Sequence, residues 1–179
     1  MKNLITIAVD AMGGDGAPTK VVDGIKHHYK ENKNIFYRIF GNKDEIQKCI
    51  PKNLNSNCFE INHTSEKVSG DDSPLGAAKR GKNTSMWLAI ESVKEKKSDI
   101  VISAGNTGAL LVIAKLNLKM IYNIDKPALS GLWPSKKGMS VVLDLGANIE
   151  CSDKNLIDFS IMGSSLLKSL YPEEKPKVA

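Results

Sequence analysis

Three stretches of the chain each run an apolar strand straight into a glycine-rich turn: 7–18 (IAVDAMGGDGAP), 101–111 (VISAGNTGALL) and 141–148 (VVLDLGAN). Where a parallel strand ends and a helix begins, the first helical N–H groups have no internal partner. They point off the carboxyl edge of the sheet carrying partial positive charge. Glycine at such a place lets the backbone approach an anion closely. Three such turns predict one sheet and one shared cleft for a small molecule bearing phosphate or carboxylate.

The chain has 179 residues, 41% of them hydrophobic and 25% charged, which suits a globular domain with a substantial core and not a disordered segment. A net charge of +5 would tolerate an acidic partner. The few aromatic residues are scattered and build no nucleic-acid platform, so no nucleic-acid binding is expected. Cys49, Cys58 and Cys151 are odd in number and form no CxxC pair. They read as reduced thiols in a cytoplasmic protein, and His27, His28 and His63 share no ligand spacing with them, so no metal site is expected. No apolar stretch is long enough to cross a bilayer, and Asp10 interrupts the short apolar run near the N-terminus.

Along the chain, 4–10 reads as a buried first strand, with Pro18 at the first position of a helix whose inner face carries Val21, Val22, Ile25 and Tyr29. Residues 35–40 and 59–63 read as strands, with a short helix over 44–50 between them, stopped by Pro51. A polar loop follows over 64–74, long enough to suggest a functional role. Further helices are expected over 74–82 and, capped by Thr84 or Ser85, along Met86, Ala89, Ile90 and Val93. The apolar run 100–103 predicts a central parallel strand, and 107–120 a helix apolar on nearly every side. Residues 127–129 and 140–145 are two more strand candidates, and Asp153 caps a last helix over 154–170. No linker or repeat divides the chain, so it reads as a single α/β domain over 1–179, the front part of a longer protein.

The segments 9–15 (VDAMGGD), 103–109 (SAGNTGA) and 143–148 (LDLGAN), with 79–82 (KRGK), 84–86 (TSM) and 127–129 (PAL) between them, resemble in order and spacing the PlsX family of bacterial phosphate acyltransferases of phospholipid synthesis. The resemblance covers essentially the whole chain, although family members are roughly twice as long. Glu150 stands where the family more often has Asp. The resemblance implies an α/β/α sandwich with a mostly parallel sheet, akin to isopropylmalate dehydrogenases and phosphotransacetylases, here truncated. It implies transfer of a fatty acyl group from acyl carrier protein to inorganic phosphate, without a cofactor. The acyl phosphate product would feed a membrane glycerol-phosphate acyltransferase. A homodimer in the full-length form and peripheral contact with the membrane are further implications.

The chemistry asks for positioned N–H donors and no protein nucleophile, because the phosphate is already anionic and a thiolate leaves readily. The candidate phosphate cradle is Gly105, Asn106, Thr107 and Gly108, with Asn106 as an amide donor in catalysis; the bland reading is a tight turn starting a helix. Asp10 and Asp15 flank Gly13 and Gly14. Beside phosphate a carboxylate repels unless it accepts a proton from the anion or orients a cation. Asp10 therefore reads either as catalytic or as a turn-holding residue. Asp144 and Asn148 carry the same two readings on the third turn. Lys79 and Arg80 can meet phosphate or an acidic carrier protein, or belong to a solvated face. Cys151 reads as a buried, inert thiol, and Trp87 and Trp133 as packing residues.

Two other functions compete. One is a truncated, catalytically silent remnant that binds only phosphate or carrier protein. The other is a nucleotide-binding dehydrogenase, against which no turn reads GxGxxG and no acidic residue ends the second strand at 39–41.

Overall fold

The apolar residues that open the chain form β1 (Ile5–Asp10), whose last four residues are all buried. β1 pairs in parallel with β2 (Ile35–Gly41) on one side and β4 (Ile100–Ser103) on the other, and β2 pairs in parallel with β3 (Phe59–His63). The strand order is β3-β2-β1-β4. The chain therefore builds outward from β1 through β2 to β3, then returns to add β4 on the opposite side of β1. That reversal opens a crevice beyond the carboxyl ends of β1 and β4, where ligands bind in open α/β sheets. The computed structural model describes residues 4–136 and 138–179. The chain divides into two compact units, Met1–Lys119 and Met120–Ala179.

In the first unit, alternating side chains of the sheet enter two different layers. Ile7, Val9, Tyr37 and Ile39 face Val22 and Ile25 of α1 (Thr19–Glu31) and Ile46 of α2 (Lys43–Cys49). Ala8 and Phe40 face Ala89 of α4 (Ser85–Lys94). A third cluster joins Met86, Trp87 and Ile90 of α4 to Ala77 of α3 (Pro74–Arg80), to Ala109 and Ile113 of α5 (Thr107–Leu118), and to Val68. Helices thus cover both faces of the parallel sheet. Side-chain caps set the helix starts: Asn42, Ser73, Thr84 and Asn106 accept backbone N–H groups of α2, α3, α4 and α5. Pro18 stands just before α1 and not inside it.

β4 departs from the expected central position. It is the edge strand of the four-stranded sheet, and Ile100 and Ile102 are each 50% exposed. A short run apolar on both faces does not reveal which neighbours it will have. α5 buries Ala109, Ile113 and Asn117, while Leu116 and Leu118 remain exposed, so its all-round apolar surface is only partly covered.

In the second unit, β5 (Ser130–Ser135) and β6 (Gly138–Leu143) form an antiparallel pair, and α6 (Asp153–Leu170) packs on β6, with Gly163 set against Leu143. The expected strand at 127–129 does not form; the chain becomes extended from Ser130 onward. Gly131 and Pro134 hide β5 in the sequence, since both are depleted from strand interiors and Pro is tolerated only where its missing N–H faces no partner. α6 is capped by Ser152 in a reciprocal pair with Asn155, one residue before the expected Asp153. Trp133 is exposed, against its expected packing role, whereas Trp87 is buried. Among the described residues no helix is long and apolar enough to cross a membrane.

Two outcomes follow from this packing. Burial pushes the Tyr37 phenol up to about 12, with the neighbouring Cys58 and Tyr29 adding smaller repulsion; its hydroxyl also shares a 2.7 Å hydrogen bond with His28 Nδ1. A raised folded-state value means that the folded protein holds this proton longer than the unfolded chain. The stabilisation is complete below pH 10 and is lost as pH rises from 10 towards about 12. Alkaline difference spectroscopy should show Tyr37 ionising last or only with unfolding; a Tyr37→Phe variant should lose that late step. Secondly, an apolar edge strand is a pairing hazard. The chain should self-associate in sedimentation, and Ile102→Lys should shift it towards monomer. A wild-type monomer at tens of micromolar would contradict this.

Candidate phosphate-binding site

The register of β1 and β4 places Asp10 beside Ser103, at the carboxyl ends of both strands. Asp10 is 1% exposed, and both its carboxylate oxygens are occupied. Oδ1 accepts the Met12 N–H at 3.2 Å and Oδ2 accepts the Ser103 hydroxyl at 2.7 Å. Ser103 Oγ in turn accepts the Gly105 N–H at 3.1 Å. One carboxylate thus ties the first glycine turn to the second. Gly13 completes the contact: a Cβ there would lie 2.7 Å from Asp10 Oδ2 and 2.8 Å from the Gly105 nitrogen. Gly14 has φ +86°, and a Cβ there would lie 2.5 Å from the Ala104 carbonyl oxygen. Only glycine allows the two turns this approach.

Asn106 caps α5 through Oδ1, which accepts the Ala109 N–H at 2.9 Å. Its amide Nδ2 donates to the carbonyls of Gly70 and Asp72, each at 2.9 Å. Both amide hydrogens are therefore committed to the 64–73 loop, and Asn106 acts as a clamp on that loop. Arg80 reinforces the clamp through an ion pair with Asp72, whose Oδ2 also accepts the Ser69 N–H at 2.8 Å. The Arg80 guanidinium holds the Asp72 carboxyl below the usual aspartate range. This anchorage holds at neutral pH and weakens as the pH falls through that depressed value.

Between the turns and the loop lies a cleft of about 380 Å³, lined by Met12, Gly14, Asp15, Lys67, Val68, Ser69, Gly70, Ala104, Gly105 and Asn106. The backbone N–H groups of Gly13, Gly14, Asp15, Thr107 and Gly108 have no hydrogen-bond acceptor among the described residues. They are free to receive an anion, and the last two belong to the first turn of α5. Thr107 is exposed, and Gly108 lies against Pro74 of α3.

Among the sequence candidates, the structure brings together Asp10, Gly13, Gly14, Asp15, Gly105, Asn106, Thr107 and Gly108. Lys79 and Arg80 are exposed on α3, and neither lines the cleft. The lysine that does is Lys67, which sequence reasoning missed; its signal was a lone cation within a long polar loop. Asn148 belongs to the second unit. There it donates its backbone N–H at 3.2 Å and its amide at 2.9 Å to Asp144 Oδ1, and its amide also reaches the Pro127 carbonyl at 2.9 Å. Asp144 itself takes φ +60°. Cys151 is exposed and not buried as expected, with its thiol 3.7 Å from Asp144 Oδ2. Among the described residues no group of three or more His, Cys, Asp or Glu could hold a metal ion.

Residues 5–179 match the model of the fatty acid synthesis protein family. The chain belongs to that family. Relatives in it include the phosphate acyltransferase of Pelagibacter ubique, 74% identical over the whole chain and 54% of that protein, and that of Rhodospirillum rubrum, 43% identical over 99% of the chain and 51% of that protein. The chain therefore spans about half the length of the curated relatives it matches. A solved structure with the same fold is the EutD phosphotransacetylase from Staphylococcus aureus, with TM-score 0.64 and 16% identity over 94% of this chain and 54% of that one. The fold is thus the α/β fold of the phosphotransacetylases with a mostly parallel sheet, as the family resemblance implied.

For this family member the hydroxyl bridge at Ser103 is the testable link between the two turns. Ser103→Ala leaves the Asp10 Oδ2 atom buried without a donor and should cost about 1–3 kcal/mol in urea unfolding. Ser103→Thr, which keeps the hydroxyl, should lose markedly less. Equal losses in both variants would show that the bridge contributes nothing beyond packing.

Proposed function

We propose that the chain provides the phosphate-binding half of an acyltransferase that moves a fatty acyl group from acyl carrier protein to inorganic phosphate. The observation that carries this reading is the convergence of two glycine turns, with unpaired N–H groups, on one cleft at the carboxyl ends of β1 and β4. Family membership supports the reaction class. In the reaction, a phosphate oxygen attacks the thioester carbonyl carbon and a C–O bond forms. The carbonyl oxygen becomes an oxyanion, collapse breaks the C–S bond, and the carrier thiolate departs. Acyl phosphate is the product.

The residues act by holding the anion and stabilising charge. The N–H groups of Gly13, Gly14 and Asp15 on one side, and of Thr107 and Gly108 on the other, cradle the nucleophile and oppose the charge that develops on the carbonyl oxygen. Asp10 and Asn106 serve this chemistry by positioning, since their polar atoms are already engaged. Asn148 holds the third glycine turn through Asp144, and Lys79 and Arg80, exposed on α3, attract an acidic carrier protein. Acyl phosphate then passes to a membrane glycerol-phosphate acyltransferase. The working protein is cytoplasmic, dimeric at full length and in peripheral contact with the membrane.

The deciding assay is thiol release from a long-chain acyl carrier protein, with and without inorganic phosphate. Phosphate-dependent release is expected from the wild type. Gly14→Val, which thrusts a side chain into the Ala104 carbonyl, should lower it by about a hundredfold or more. No release from folded wild-type chain would overturn the reading for this chain and leave a silent, phosphate-binding remnant.

A further inference from the structure

The cleft holds two charged side chains of opposite sign that the reaction scheme leaves unused, Asp15 and Lys67. Both are exposed to it, and neither forms an ion pair with the other or with any described residue. Lys67 is nonetheless held on a fixed backbone. Thr64 Oγ1 donates to the Asn83 carbonyl, the Ser85 N–H donates to the Glu66 carbonyl at 3.0 Å, and Val68 is buried in the α3–α4–α5 cluster. Asp15 directly follows Gly14, whose backbone lies close against the Ala104 carbonyl.

A lone carboxylate facing an anion cradle is costly unless the anion donates a hydrogen to it. Inorganic phosphate at neutral pH always keeps at least one P–O–H, whereas sulfate, of the same shape and size, keeps no proton. We propose that Asp15 and Lys67 form a protonation-reading pair that selects inorganic phosphate over sulfate. Lys67 binds an unprotonated oxygen of the anion, and Asp15 accepts the hydrogen of its P–O–H. Against sulfate the Asp15 carboxylate finds no donor and repels. The pair also orients the nucleophile: the oxygen bearing the proton is held towards Asp15, and an unprotonated oxygen is left to attack.

This inference rests on the phosphate-binding reading above and is tested apart from activity. Inorganic phosphate and inorganic sulfate are titrated separately into the full chain by calorimetry, at neutral pH in a buffer containing neither. The wild type should prefer phosphate by about tenfold or more. Asp15→Asn can donate to either anion, so phosphate should weaken, sulfate should tighten, and the preference should collapse towards unity. Lys67→Gln should weaken phosphate by about tenfold while keeping the preference. Both positions are exposed, so the variants should melt like the wild type. An undiminished preference in Asp15→Asn, or unchanged phosphate affinity in Lys67→Gln, would overturn the pair while leaving phosphate binding intact. Absence of phosphate binding by the wild type would overturn both this inference and the reading beneath it.

Discussion

The first unit depends on one buried carboxylate. Asp10 sits where the topology reverses, between the strand that begins the sheet and the strand that closes it. A buried carboxylate is tolerable only when its oxygens find donors, and here they come from both turns: the Met12 N–H and the Ser103 hydroxyl. The chain from Asp10 through Ser103 to the Gly105 N–H fixes the second turn to the first. Neither glycine turn could hold its shape as precisely alone, because each lacks the side chains that normally restrict a backbone. The structure places restraint beneath the turns and leaves the N–H groups of Gly13, Gly14, Asp15, Thr107 and Gly108 without an internal acceptor among the described residues.

A second restraint comes from above. Asn106 both starts α5 and grips two carbonyls of the 64–73 loop, and Arg80 grips the same loop through Asp72. One asparagine therefore sets the helix whose N-terminus faces the cleft and the loop that walls it. Arg80, solvated in isolation, gains its meaning from this loop. An exposed ion pair contributes little to stability by itself. Its consequence lies in where it holds Ser69 at the cleft wall.

Much of the fold is legible because its signals are local. β2 emerges from a run of Ile, Phe and Tyr closed by Gly41 and Asn42, β3 from the alternation of Phe59 and Ile61 with polar residues, and α4 from Thr84 followed by apolar residues at helical spacing. β5 is illegible for an equally local reason: Gly131 and Pro134 contradict strand propensity, and only pairing with β6 overrides them. The edge position of β4 is invisible to any window of sequence, because the partner of a strand is a matter of topology. Site residues divide the same way. Gly13, Gly14 and Gly105 announce themselves, whereas the engagement of Asn106 spans more than thirty residues of chain and that of Asp10 more than ninety.

That division has a chemical consequence for sites built from backbone. When donors are N–H groups, the residues named by a motif are those that permit the geometry, and side chains within the motif are drawn into holding it. Asp10 and Asn106 are polar and sit inside glycine motifs, which makes them look like reactive groups. Each of their polar atoms in fact already has an internal partner. The unsaturated charges, Asp15 and Lys67, lie at the cleft wall, one at the end of a motif and the other outside all three. In such a site, freedom from an internal partner is a better guide to ligand contact than membership of a motif, because an N–H hydrogen already donated must break that bond before it can bind anything else.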